Sequence, residues 1–437
     1  MTSTRLRAVT SALALSALAL ASHDALAQSA GEAELARRLD QLAAELASVK
    51  AELARMRSAQ AAPQAATSAA PPAVAAAPVA PALGPGLVAE AATVLTSYGE
   101  LNYNRPTRDS KNTVADLRRF VLGYQHRFDD KTKVVTELEV EHAVSSSTDK
   151  GEVEVEQAYL ERQVAANWSL RGGLFLMPAG LLNENHEPTA FYGVERNFVE
   201  TAIIPSTWRE GGLQVVGNFD NGLTAQFGIT TGFDLGKWDA TSTEGAESPL
   251  GAIHQELQLA KARDLSVFGA LNWRGVPGLL LGGSIFTGGA SQGQIAGSSR
   301  VTLWDLHARY APGRWDFSSV YSRGTISNTA AFNSPLVGSA TLVPKSFDGV
   351  YAQAAYKLWS NAEYSLAPFA RWEQFNTARS YADLGPGLTP AAARTERVVT
   401  IGANFNIGSA IVLKADLQRF RQNADANRFD LGLGWSF

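Results

Sequence analysis

From Asn427 to Phe437 the chain alternates without a break. Phe429, Leu431, Leu433, Trp435 and Phe437 stand at every second position, with Arg428, Asp430, Gly432, Gly434 and Ser436 between them. Successive side chains of a strand point to opposite faces, so one face is apolar and ends in an aromatic while the other is polar or small. Such a strand suits a wall between lipid and water, and it is predicted to be the last strand of a membrane β-barrel. A secreted soluble β-protein is the competing reading, and it has to account for the apolar outer faces that recur upstream.

The other end of the chain points to export. Arg5 and Arg7 precede an apolar run from Ala8 to Ala21, and Ala25-Leu26-Ala27 places small residues where a signal peptidase cuts, so residues 1–27 are predicted to be a signal peptide. That run is short for a membrane span, and no later stretch reaches about 18 consecutive apolar residues, so no transmembrane helix is expected. The chain has no cysteine, which removes disulfide stapling and thiol chemistry. A net charge of −4 without a basic tract argues against nucleic acid as a partner.

Between residues 28 and 58 the apolar positions are Leu35, Leu39, Leu42, Leu46, Val49, Leu53 and Met56, separated by alternating steps of four and three. A repeat of about 3.5 residues winds helices into a left-handed coiled coil, and about 30 residues at 1.5 Å each make a rod of roughly 45 Å. The narrow stripe favours self-association over a lone amphipathic helix. Leucine at nearly every core position leaves the number of strands in the coil open. Residues 59–92 form an Ala/Pro tract with Pro63, Pro71, Pro72, Pro78, Pro81 and Pro85, predicted to be a partly extended spacer.

From residue 93 to residue 437 the pattern is that of strands. They are expected near 93–104, 116–128, 132–142, 152–164, 167–177, 209–218, 222–231, 265–274, 278–287, 300–311, 313–324, 347–358, 363–375, 396–407, 410–420 and 427–437, sixteen in all. Short turns such as Asp129-Asp130, Asp220-Asn221-Gly222, Pro277-Gly278, Pro312-Gly313 and Gly408-Ser409 alternate with longer loops, and an even count returns both barrel ends to one side. Residues 252–262 are either a loop helix or a further strand. Outward aromatic positions, among them Phe120, Tyr124, Phe128, Trp168, Trp273, Trp315, Tyr364, Trp372 and Trp435, are expected to form the girdles that sit in lipid headgroup zones. The fold class is therefore all-β: a 16-stranded antiparallel transmembrane barrel preceded by a periplasmic coiled-coil helix.

Four segments carry a family likeness: Leu117-Arg118-Arg119-Phe120, Thr136-Glu137-Leu138-Glu139, Gln157-Ala158-Tyr159-Leu160, and Gly173-Leu174-Phe175-Leu176-Met177-Pro178-Ala179-Gly180-Leu181. Together they resemble the phosphate-selective porin O and P family, over about Tyr98 to Phe437. The resemblance implies a trimeric outer-membrane porin with an anion pathway. The dense ladder of lumen arginines on which that family's phosphate selectivity rests is not repeated in this sequence.

Alternation assigns inward-facing basic positions to Arg119, Arg127, Arg171, Arg274, Arg309, Lys357, Arg371, Lys414 and Arg428. It assigns acidic ones to Glu137, Glu139, Glu141, Asp305, Asp316, Glu373, Asp416 and Asp430. Mixed signs argue for a general pore, because a phosphate trap needs a sustained positive field; for most of these charges the plainer reading is a wall residue or a cross-strand ion pair. The loop from Met177 to Trp208 holds Glu184, His186, Glu187, Glu195, Arg196 and Glu200, with Arg209 at its end, and enough apolar residues to fold inward as a constriction or to cap the mouth.

Glu184-Asn185-His186-Glu187 lacks the two-histidine helical spacing of a zinc site, and no Gly-x-Ser-x-Gly elbow is present, so no metal, cofactor or catalytic residue is assigned. A plugged active transporter would need about 22 strands, for which there is no room. The expected function is passive diffusion of small hydrophilic solutes, including anions such as phosphate, by a homotrimer embedded in outer-membrane lipid. The alternatives are an anchor tied to the cell wall through the rod, or an outer-membrane hydrolase.

Overall fold

The protein is described by a computed structural model that covers residue 44, residues 92–294 and residues 297–437. The chain divides into a unit of residues 1–75 and a unit of residues 76–437. Only residue 44, which is helical, is described in the first. Apart from residues 44 and 92, the expected signal peptide, coiled coil and spacer thus lie outside the described residues.

In the second unit, sixteen strands cross the wall of one sheet. They are β1 (Thr93–Pro106), β2 (Val114–Asp129), β3 (Thr132–Glu141), β4 (Val153–Ala165), β5 (Trp168–Leu176), β6 (Arg209–Asn218), β7 (Leu223–Thr230) and β8 (Ser266–Trp273). The second half comprises β9 (Leu279–Gly289), β10 (Arg300–Tyr310), β11 (Trp315–Ile326), β12 (Ser346–Tyr356), β13 (Tyr364–Ser380), β14 (Glu396–Ile407), β15 (Ile411–Phe420) and β16 (Arg428–Ser436). Each pairs antiparallel with its neighbours in sequence, and β1 pairs with both β2 and β16, so the sheet closes with no free edge. A two-residue ladder, Trp359–Ser360, belongs to the hairpin between β12 and β13 and adds no crossing.

The alternation in the sequence is what fixes this register. Leu433 of β16 lies between Leu101 of β1 and Leu413 of β15, and Leu101 and Leu413 are exposed on the outer face. Glu100, Lys414 and Asp416 on the opposite parity are buried inside. A slip of one residue would exchange these faces and put charge into the apolar belt, so the register is strongly specified. The short turns are closed by glycines at positive φ, where a Cβ is disfavoured: Gly222 at 82°, Gly278 at 77°, Gly313 at 62° and Gly408 at 60°.

Residues 252–262 form neither a long helix nor a strand. A single 3-10 turn, Gly251–Ile253, is followed by irregular chain in which Glu256, Leu257 and Leu259 adopt positive φ. The described loops at this end of the barrel share an apolar core. Trp208 stacks on Phe233 and both meet Phe286 edge to face, with centroids 4.8–5.3 Å apart, joined by Leu235, Trp238, Leu250 and Ile253. Backbone bonds from Leu235 to Ala290 (2.8 Å) and from Thr341 to Ala240 (3.0 Å) tie separate loops together.

Candidate functional site

The loop between β5 and β6, residues 177–208, is pinched at its neck. The Met177 N–H donates to the Trp208 carbonyl at 2.9 Å. Asn183 locks the same point: its amide donates to the carbonyls of Met177 and Trp208 and its oxygen accepts from the Trp208 N–H, all at 2.7 Å. With the neck closed, the chain between is directed against the inward-facing wall.

Three attachments hold it there. The first is His186, buried, with Nδ1 2.9 Å from the Asn183 carbonyl and Nε2 2.6 Å from the Glu156 carboxylate and 2.8 Å from the Tyr98 hydroxyl. Arg119 donates to the His186 carbonyl at 2.6 Å while its Nε binds Glu100 at 2.8 Å. In this way β1, β2 and β4 grip one loop residue.

The second attachment uses the last strands. Lumen-facing Gly432 and Gly434 leave the wall flat, so Val194 and Pro188 lie on it: a Cβ at Gly434 would clash with the Pro188 ring, and one at Gly432 would meet Val194 at 3.3 Å. Above this floor the Val194 N–H donates to Asp416 at 2.6 Å, the Gly193 N–H to Asn404 at 3.2 Å, and Asn404 in turn to the Phe191 carbonyl at 3.0 Å. Lys414 places its ammonium 3.4 Å from the centre of the Phe191 ring, a cation–π contact for a buried charge.

The third attachment is Glu200. One carboxylate oxygen accepts the N–H groups of Leu181 (2.5 Å) and Leu182 (2.7 Å), and the other accepts from Asn197 (2.8 Å) and from the hydroxyl of Tyr351 on β12 (3.1 Å). Burial raises the pKa of this carboxyl, and the four donors pull it back. A carboxylate so enclosed is a hub between the outgoing and returning halves of the loop.

Many inward charges are paired, some along their own strand and some across strands. Arg371 binds Glu373 at 2.9 Å, Arg428 binds Asp430 at 2.9 Å and His307 binds Asp305 at 2.6 Å, each partner two residues away on the same face. Cross-strand partners are Arg171 with Glu161 (2.6 Å) and Arg309 with Asp316 (2.6 Å). Glu137 accepts from Gln157 at 2.5 Å, and Glu139 is buried beside Glu154 in the register. Arg127 lies opposite Lys133 at the short-turn end.

Of the loop charges, Glu184 is exposed to water although strands enclose it, and it accepts from Gln226 of β7 at 3.1 Å. Glu187 is half-buried beside His186. Glu195 accepts from Asn102 (3.3 Å) and Asn104 (3.1 Å), and half-exposed Arg196 donates to the hydroxyls of Ser206 and Thr207, both at 2.9 Å. Arg209 stands apart from them: it opens β6 and is buried between Glu154 and Glu256, the latter at 2.9 Å. Tyr98, Glu156, Asn183 and Asn404 do as much to place the loop as the residues expected from sequence. Glu156 is the hardest to foresee, because a register shift between Glu137 and Leu138 breaks the alternation there.

No family model matches the chain. An uncharacterised protein of Aquifex aeolicus (strain VF5) is 28% identical over 352 residues, covering 78% of this chain and 79% of that one. Among solved structures, OmpF of Salmonella typhi, in complex with daunomycin, superposes with a TM-score of 0.56 at 12% identity, over 79% of this chain and 97% of that one. An anion-selective porin from Comamonas acidovorans gives 0.49 at 12% identity, over 79% and 100%. The likeness to OmpF is one of fold: this chain builds the same kind of barrel.

Proposed function

We propose that this chain is an outer-membrane porin that lets small hydrophilic solutes diffuse passively, with the loop of residues 177–208 as its constriction. The observation that carries the reading is the pairing of an apolar, exposed outer face with a charged inner face on which that loop is laid down. Glu184, Glu187, Glu195, Arg196 and Glu200 are assigned to the constriction, with Glu184 the most exposed of them. The narrowing favours small solutes. Paired wall charges leave little net field along the lining, so a solute of either sign can pass. The association expected of residues 28–58 fits a homotrimer with its rod in the periplasm.

Steady open steps in planar bilayers test the proposal. An anchor or a hydrolase with a filled lumen gives no such steps, and their absence from purified, folded protein would remove the porin reading.

A further inference from the structure

The arginines on the outer face of the barrel that lack a partner among the described residues are gathered at one end. At the short-turn end the outward positions are aromatic or aliphatic, including Tyr124, Phe128, Trp273, Trp315 and Phe437. The arginines found there are engaged: Arg162 lies 3.7 Å from Asp129, and Arg314, next to β11, lies 5.9 Å from the centre of the Tyr356 ring. At the long-loop end the pattern reverses on one arc of neighbouring strands. Arg300 ends β10 on the outward face, and Arg323 (β11), Arg379 (β13), Arg397 (β14), Arg419 (β15) and Arg105 (β1) follow around the sheet.

Their orientation follows from the register. Arg105 is opposite Phe429, Arg419 opposite Val399, and Arg323 opposite Trp304, all on the parity of exposed apolar residues such as Leu431, Ile401 and Leu306. Between β10 and β1 the arc crosses seven strand intervals, counted from the sheet order, or about 34 Å at about 4.8 Å each. No outward-facing lysine lies in these strands.

Carboxylates on this arc are already committed. Asp348 of β12 is shared by Arg379 (2.9 Å) and Arg323 (3.9 Å). Glu396 accepts the backbone N–H groups of Arg421, Gln422 and Asn423, and Asp425 pairs with Arg108. Arg397 and Arg300 hold only neutral partners, Gln374 and Thr287. Arg105 and Arg419 have no side-chain partner among the described residues. Six guanidinium groups therefore face outward against one shared acid.

We propose that this arc binds the phosphate groups of lipid headgroups in the leaflet at the long-loop end. Guanidinium presents paired N–H donors that match a phosphate in bidentate fashion, which a lysine ammonium cannot do, and an arc of this length spans several headgroups. Arginines that merely lift their charge out of the apolar belt would be expected at both ends and all around. These are on one end and one arc. The inference rests on the membrane reading but not on conduction through the lumen.

The test uses full-length protein in mixed phosphatidylcholine and phosphatidylglycerol vesicles, extracted in polymer-bounded discs whose lipids are then counted. Phosphatidylglycerol is expected to be enriched several-fold over the bulk mixture. Arg105→Gln, Arg397→Gln and Arg419→Gln together should return it to the bulk ratio, and Arg162→Gln should leave it enriched. Heat-dependent gel mobility confirms that each barrel is folded; if the triple variant does not insert, the Arg397→Gln, Arg419→Gln pair is read instead, with at least half the enrichment lost. Bulk composition around the unmodified protein, enrichment that survives the substitutions, or enrichment abolished by inorganic phosphate at about ten millimolar overturns the proposal, the last by showing a site for free phosphate. Failure of the unmodified protein to enter vesicles would count against the membrane channel itself.

Discussion

Glu200 shows how one side chain can hold a long loop in place. Its four acceptor contacts join Leu181 and Leu182, near the start of the loop, to Asn197 on the return and Tyr351 on the wall. Glu200→Ala would leave two backbone N–H groups and the Tyr351 hydroxyl without partners, a cost of about 2–4 kcal/mol confined to the loop. The expected outcome is faster amide exchange at Leu181 and Leu182 and noisier open channels, with barrel unfolding unchanged. Amide protection equal to that of the unmodified protein would show that the hub is dispensable. The sequence makes some residue-scale pairs plain: Arg371 with Glu373 and Arg428 with Asp430 are opposite charges two apart in strands, hence on one face. It hides others. Nothing in the neighbourhood of His186 indicates that its partners are Tyr98 and Glu156, which are 88 residues away and on another strand respectively.

At the scale of elements, strand positions are the legible part, because alternation and turn glycines act locally. The expected strand at 209–218 is Arg209–Asn218, and that at 396–407 is Glu396–Ile407. The strand expected at 363–375 runs on to Ser380, since pairing with β12 continues past the last clear alternation, across a register shift. The loops are less legible. Phe233, Leu235, Trp238, Leu250 and Ile253 have no period, and their burial depends on contacts with distant segments. The seat of the loop of residues 177–208 falls between these cases: Gly432 and Gly434 are visible as small residues on the inner face of the last strand, but not what covers them. Gly434→Val should lift Pro188 from the wall, because the Pro188 ring occupies the space that the added side chain needs. The barrel is expected to fold, with a changed open conductance. An unaltered conductance in a folded variant would mean that the loop does not narrow the path at this point.

For the whole molecule, the rod expected at residues 28–58 and the charge pattern of the lumen each make a prediction. Leu42→Asp with Leu46→Asp would bury carboxylates in the apolar seam of a coiled coil, costing several kcal/mol per helix set, so an isolated peptide of this segment should lose its self-association. A monomeric unmodified peptide at high concentration would remove the rod. In the lumen, Arg119, Arg171, Arg309, Arg371 and Arg428 each hold a carboxylate, whereas Arg196 and Lys414 are paired only with hydroxyls or a ring, and Arg274 and Lys357 at the short-turn end are in no ion pair among the described residues. Against them stand Glu184, Glu195 and Glu137, which accept only from neutral amides, and Asp416, which accepts from the Val194 N–H. The balance predicts weak ion preference and little block of chloride current by millimolar phosphate. Arg196→Gln should move the reversal potential in a salt gradient toward cations and Glu184→Gln toward anions, each by several millivolts, since either change unbalances a narrow path by one charge. Strong phosphate block in the unmodified channel would show that a positive binding site survives this pairing. Shifts of the same sign in both variants would show that neither residue faces the path.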